Sequence, residues 1–151
     1  VNPQPHLPGM RGFLAHTHGE PVVLADGQTL YCYVPGVVLQ PPNQGVMRQA
    51  SMGARFAQAA KARKQRTDVT LMLKSAIGKP PAPPLTITVT RVFPGHMDGH
   101  DALPLACKHV VDAIAAWLTI DDGSPELTWR YEQRRDGKSA GVGIKIEARQ
   151  P

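Results

Sequence analysis

LTITVTRVFPGHMDGHDALPLACKHVVDAIAAWL (85–118) decides the reading of this chain, because it passes from a strand pattern to a helix pattern across a short acidic stretch. In its first nine residues Leu85, Ile87 and Val89 alternate with threonines, the period of a half-buried strand. Over 101–118 the apolar residues Leu103, Cys107, Val110, Val111, Ile114 and Leu118 recur at helical spacing. Pro104 falls in the first turn, where a missing N–H is tolerated, and Asp101 stands where an N-cap belongs. The spacing therefore predicts one strand, an acidic connection and one helix.

Downstream, LTWRYEQRR (127–135) and VGIKIEA (142–148) both alternate, and Asp136-Gly137 between them predicts a terminal hairpin. Upstream, KPPAPP (79–84) is a stiff connector. Before it, ASMGARFAQAAKARKQRTDVTLMLKSAI (50–77) has no proline and many helix formers. Its apolar side would hold Met52, Phe56, Ala59 and Ala60, then Val69, Leu71, Met72 and Leu73. LYCYVPGVVLQ (30–40) reads as a strand kinked at Pro35-Gly36, or as an edge strand. Residues 1–30 form a Pro/Gly-rich extension, with a short hairpin suggested by 21–24 and Asp26-Gly27, so the main domain is expected over 31–151. The expected fold class is α/β (α+β): a small mixed sheet with two main helices packed on it.

At 151 residues and 42% apolar content the chain fits one domain with a modest core. No stretch approaches the roughly 20 apolar residues of a membrane helix, and 1–10 lacks the order of a signal peptide, so a cytoplasmic protein is expected. Two cysteines, Cys32 and Cys107, exclude a disulfide scaffold and a four-cysteine zinc site, and read as buried thiols. The net charge of +5 is divided unevenly: 1–97 carries 10 Lys and Arg against 3 acidic residues, whereas 98–151 carries 7 against 9. An anionic partner such as nucleic acid suits the first part. Lys61, Arg63, Lys64 and Arg66 are four cations in six positions of the long helix; with Arg48, Arg55 and Lys74 they are either a phosphate-contacting surface or a solvated face.

Five of the eight aspartates, Asp98, Asp101, Asp112, Asp121 and Asp122, fall within 25 residues. Crowded carboxylates repel, so such a cluster either holds a cation or is spread on a wet surface. On one continuous helix Asp101, Lys108 and Asp112 would lie within roughly 20° of a line. Asp98 and His100 would arrive from the strand end, and Asp121 and Asp122 from the loop after the helix. Oxygen ligands beside a lysine suit Mg²⁺ or Mn²⁺ and phosphodiester hydrolysis. The plainer alternative makes Asp101 a helix cap, Asp112 an i,i+4 partner of Lys108, and Asp121-Asp122-Gly123 a turn. A zinc set of His96, His100 and His109 is disfavoured because His109 would face about 100° away from Lys108 and no cysteine completes it. His16 and His18 alternate like strand neighbours but have no third ligand nearby. Trp117 and Trp129 read as core residues, and Phe93 lies closest to the acidic cluster.

MDGHDALPLACKHVVDAIAAWLTIDDGSPELTWRYEQ (97–133) resembles the RusA family of Holliday junction resolvases. The family's Asp-rich motif looks like Asp98-Gly99-His100-Asp101-Ala102-Leu103, followed by Lys108, Asp112-Ala113 and the pair Asp121-Asp122. Pro42-Asn43 and Arg48 are similar to its weaker N-terminal motif, and the resemblance extends over about 31–148. It implies a homodimer that uses Mg²⁺, or Mn²⁺, to cut a four-way DNA junction symmetrically, with no membrane and no small-molecule cofactor involved. Residue by residue, it implies Asp101, Asp122 or its neighbour Asp121, and Asp98 as metal ligands and Lys108 as the catalytic lysine. Asn43, Arg48, Arg55, Lys61, Arg63, Lys64 and Arg66 would contact DNA; His100 and Asp112 are secondary candidates. Gly99 stands where the family usually has its first aspartate, and Ala102 where it has asparagine. Those departures leave open a junction-binding protein without turnover.

Overall fold

A computed structural model describes residues 22–23, 29–40, 50–97, 102–136 and 138–149. These residues form an α+β domain: a five-stranded mixed sheet with helices on one face. The strands are β1 (Val22–Val23), β2 (Thr29–Pro35), β3 (Leu85–Phe93), β4 (Leu127–Arg135) and β5 (Gly141–Ala148), in the order β1-β2-β5-β3-β4. The helices are α1 (Met52–Ala76), α2 (Ala102–Ala106) and α3 (Lys108–Leu118). Among the described residues no helix is long and apolar enough to cross a membrane.

Side-chain alternation along each strand selects the face that becomes the core. Cys32 and Val34, Val142, Ile144 and Ile146, Leu85, Ile87 and Val89, and Leu127 all join one buried cluster. Val69 and Leu73 of α1 and Val110, Ile114 and Trp117 of α3 cover it. The other face is also buried in its middle, at Tyr31, Tyr33, Thr88 and Thr90. The strand over 85–93 is therefore buried on both sides, not half-buried as its threonines suggested.

The expected terminal hairpin does not form. β4 runs parallel to β3, with Leu85 opposite Leu127 and Phe93 opposite Arg135, while β5 lies antiparallel between β2 and β3. Alternation identifies a strand but not its partner. β5 is buried on both faces from Gly141 to Ile144 and belongs inside the sheet, whereas only Leu127 of β4 is fully buried, as suits an edge. The connection between them crosses the end of β3: Asp136 N–H donates to the Phe93 carbonyl at 3.1 Å, and the Ala140 carbonyl accepts from Gly36 N–H at 2.9 Å. Gly141 is required where it stands, because a Cβ there would collide with the Tyr33 phenol. The hairpin suggested near residue 22 is present as β1 on β2, with Val22 opposite Tyr31 and Val23 opposite Leu30.

The single helix expected over 101–118 is two. Cys107 separates α2 from α3, and its N–H is shared between the carbonyls of Leu103 at 3.1 Å and Pro104 at 3.2 Å. Lys108 consequently begins a helix of its own, while Asp101, expected on the same helical line, lies outside the described residues. The helix read over 50–77 is present as α1, capped by Ser51, whose hydroxyl accepts from Ala54 N–H at 3.2 Å. Its expected apolar side is only partly used: Val69 and Leu73 are buried, while Met52, Phe56 and Leu71 are 71%, 67% and 61% exposed.

Candidate active site and nucleic-acid face

Lys108 is the first residue of α3, and Asp122 lies in the loop that follows that helix. The two meet on one surface depression of about 210 Å³, lined also by Pro104, Leu105, Val111 and Tyr131. They meet because the loop doubles back. Thr119 ends α3 in the left-handed conformation, and the Trp129 indole N–H donates to the Asp122 carbonyl at 2.8 Å, which holds the loop against β4. The Lys108 ammonium is 3.6 Å from Asp112 Oδ1, a loose ion pair on an exposed helix face. This is the i,i+4 pairing the sequence offered as the plainer alternative. Asp121 is committed locally, since its Oδ1 accepts from Gly123 N–H at 2.8 Å and makes the turn.

Burial raises the Tyr131 phenol above its ordinary pKa, and the nearby Cys107 and Asp122 raise it further. It therefore stays protonated at neutral pH and can donate to an oxyanion. Both thiols are buried, which pushes Cys32 and Cys107 up to about 12 and keeps them unreactive. Asp98, His100 and Asp101, together with Asn43 and Arg48, lie outside the described residues, as do His16 and His18. Asp101 immediately precedes α2, whose Pro104 and Leu105 border the depression. Among the described residues no group of three His, Cys, Asp or Glu side chains is placed to hold a metal ion. Asp122 is one oxygen donor at the depression, of the type hard cations take.

The basic helix divides into different environments. Lys64 pairs with Asp68 at 2.7 Å. Arg66 turns inward, and its guanidinium lies 3.1 Å from His109 Nδ1. Arginine can only donate, so Nδ1 accepts and the imidazole proton sits on Nε2. Burial lowers the His109 pKa, with Arg66 adding to the effect, so the ring is neutral and its Nδ1 is unavailable to a metal. Lys61 and Arg63 are exposed. Trp117 is buried, with its indole N–H donating to the Gly78 carbonyl at 3.2 Å. Phe93 lies beneath the Arg91 guanidinium, 4.3 Å from ring centroid to carbon.

Arg91 and Gln133 were not among the residues singled out from sequence. Arg91 is 4% exposed, and its Nε donates to the Leu39 carbonyl at 2.9 Å. Its Nη1 donates to the Gly95 carbonyl at 3.3 Å and to Gln133 Oε1 at 3.4 Å. Gln133 in turn grips both backbone groups of Met97: Oε1 accepts from N–H at 3.0 Å, and Nε2 donates to the carbonyl at 2.6 Å. Buried Arg91 and half-buried Gln133 thus fix the backbone up to Met97 and tie it to Leu39. The signal was available: in LTITVTRVF, position 91 shares the parity of Leu85, Ile87 and Val89, so a cation there faces the core. No protein-family model matches the chain, and no curated protein matches it either.

Proposed function

We propose that this chain is a Mg²⁺-dependent, structure-selective endonuclease that cuts four-way DNA junctions as a homodimer, in the manner of the RusA family it resembles. The observation that carries the reading is the meeting of Lys108 and Asp122 on one depression beside the entry to α2 and next to a basic helix. On this reading Asp122, with Asp101 and Asp98, would hold Mg²⁺; Mn²⁺ suits the same oxygen donors. The metal, when bound, supplies activation of water and neutralisation of charge on the phosphate. Lys108, held only loosely by Asp112, is free to swing toward a non-bridging phosphate oxygen, and the Tyr131 phenol can donate to another. Lys61 and Arg63 contact phosphates, which sets position without reading sequence. Two such sites across a two-fold axis match the symmetry of a junction and produce paired nicks. A nuclease of this kind works in the cytoplasm, on recombination and repair intermediates of a bacterial host.

Gly99 and Ala102 favour a second reading, a junction-binding protein without turnover, because alanine at the start of α2 cannot orient a carboxylate as asparagine would. Cleavage of a labelled four-way junction with and without Mg²⁺, beside a linear duplex of the same sequence, separates the two. The nuclease reading expects paired nicks that fall by roughly a hundredfold or more in Asp101→Asn and Asp122→Asn while junction binding persists. Tight binding without cutting would establish the second reading. Equal affinity for linear and branched DNA would overturn both.

A further inference from the structure

Helix α1 is held to the domain at few points. Val69 and Leu73 are its only buried residues, and from Met52 to Lys61 every side chain is exposed. Two polar contacts stand at the boundary between these parts: Gln65 Nε2 donates to the Val38 carbonyl at 3.0 Å, and Arg66 Nη1 donates to His109 Nδ1 at 3.1 Å. Only the second can be switched by a proton. A guanidinium stays charged throughout and can only donate, so the state of His109 decides whether that contact exists. Once protonated at both nitrogens, the ring has no lone pair to offer and becomes a second cation facing the first. One proton thus replaces a hydrogen bond by a charge repulsion.

The charges around His109 oppose that proton. Arg66 faces it from α1, where Lys61 borders the same surface hollow, and Lys108 and Asp112 flank it on α3. Leu105 and Ala106 of α2, and Val38 and Gln40 after β2, border that hollow too and bring no charge. Three cations therefore stand against one carboxylate, which also pairs with Lys108 at 3.6 Å. Burial acts in the same direction and is the larger cause, so the ring takes up its proton below the ordinary 6.5. We propose that Arg66 and His109 form a proton-operated catch between α1 and α3: closed while the imidazole is neutral, and open once it is protonated, when Arg66 leaves the seam and the part of α1 before Val69 loses its tie to α3. The stabilisation is complete above about 6.5, where the unfolded chain is neutral at this residue as well, and is lost as pH falls through the lowered pKa of the folded state. Lys61 and Arg63 lie on the part released, so the catch governs how firmly these exposed cations are carried. It needs neither metal nor DNA, and stands or falls independently of the junction-nuclease reading.

The full chain is followed by NMR from about pH 7.5 to about pH 4.5, with the His109 ring signals reporting protonation. Amide hydrogen-exchange protection factors, which are corrected for the intrinsic effect of pH, report how firmly residues 62–66 of α1 are held, with residues 110–114 of α3 as the internal reference. Protection over 62–66 should fall about tenfold or more, as loss of one hydrogen bond to a charged group provides, while 110–114 stay unchanged. The midpoint of that fall should coincide with the His109 titration. His109→Asn places a non-titrating oxygen where Nδ1 accepts and should keep protection over 62–66 at both ends of the range. Arg66→Met should move the His109 titration back toward its ordinary value. Should His109→Asn fail to fold, the coincidence of the two midpoints in the parent chain decides. A His109 titration at or above 6.5, equal protection over 62–66 throughout the range, or the same fall in a folded His109→Asn would overturn the catch.

Discussion

Helices α1 and α3 cover the same sheet face, yet they spend their residues in opposite ways. Of the 11 residues in α3, seven are buried; of the 25 in α1, two are. Length accounts for much of this. At about 1.5 Å per residue α1 is roughly 37 Å long, more than twice α3 and longer than any strand beneath it, so it has more helix than sheet to cover. Val69 and Leu73 anchor its C-terminal half, and residues 52–60 extend beyond the cover with every side chain exposed. The short helix is a packing element that carries Lys108 at its exposed end. The long one is a platform for cations, stabilised as a helix over a small anchored portion. Packing and exposed charge are thus divided unequally between the two helices, and substitutions in them should tell the two apart.

The largest expected effect is on that contrast itself. Ile114→Ala in α3 removes a fully buried side chain and should cost about 2–5 kcal/mol in urea unfolding, whereas Phe56→Ala in α1 should stay within about 0.5 kcal/mol. A Phe56→Ala cost above about 1.5 kcal/mol would break the comparison, since the projecting half of α1 would then be packed in solution.

Next in size is Arg91, which belongs to neither helix but fixes the backbone that follows β3 at Gly95. Arg91→Ala leaves the carbonyls of Leu39 and Gly95 without their buried donor and should cost about 2–4 kcal/mol. Arg91→Lys should recover only part of this, because an ammonium lacks the planar fork that reaches separate acceptors in fixed directions. Chemical denaturation of both variants measures it. Full recovery by lysine would mean that charge, not geometry, is what the site requires.

These contrasts also mark what was legible in the sequence. Periodicity located β2, β3, β4, β5 and α1, because a period of two or of 3.6 is a local property. Pairing is not local: 127–135 and 142–148 each read correctly as strands, but nothing in either said that β3 would lie between them. The break at Cys107 was hidden because Leu103, Cys107 and Val110 keep helical spacing across it. The depression joining Lys108 and Asp122 was half legible. Both residues stand out in the acidic cluster and again in the resemblance, but their meeting depends on a loop that reverses at Thr119 and is held by the Trp129 indole, neither of which spacing reveals. Composition placed the cations on α1 but could not show that Lys64 is neutralised by Asp68 or that Arg66 turns inward to His109.

The smallest expected effect lies where the two helices end. Both finish in the left-handed region, α1 with Gly78 at φ 82° and α3 with Thr119 at φ 58°. For glycine that conformation is free of steric cost, while a β-branched residue incurs roughly 1–2 kcal/mol. Thr119 recovers part of it, since its hydroxyl donates to the Leu118 carbonyl at 2.6 Å. Its backbone N–H also satisfies the carbonyls of Ala115 and Ala116, but glycine would keep those bonds. Thr119→Gly therefore removes the steric cost, loses one part-buried hydrogen bond and loosens the unfolded chain by about 0.5–1 kcal/mol. The contributions nearly cancel, so the variant should melt within about 2 °C of the parent. Because the same residue starts the reversal that brings Asp122 back toward Lys108, junction cleavage by the variant should be measured beside its melt. A variant that melts in that range and cuts as well as the parent would show that left-handed geometry alone aims the loop. A less stable one would mean that the threonine hydroxyl is the feature holding the turn.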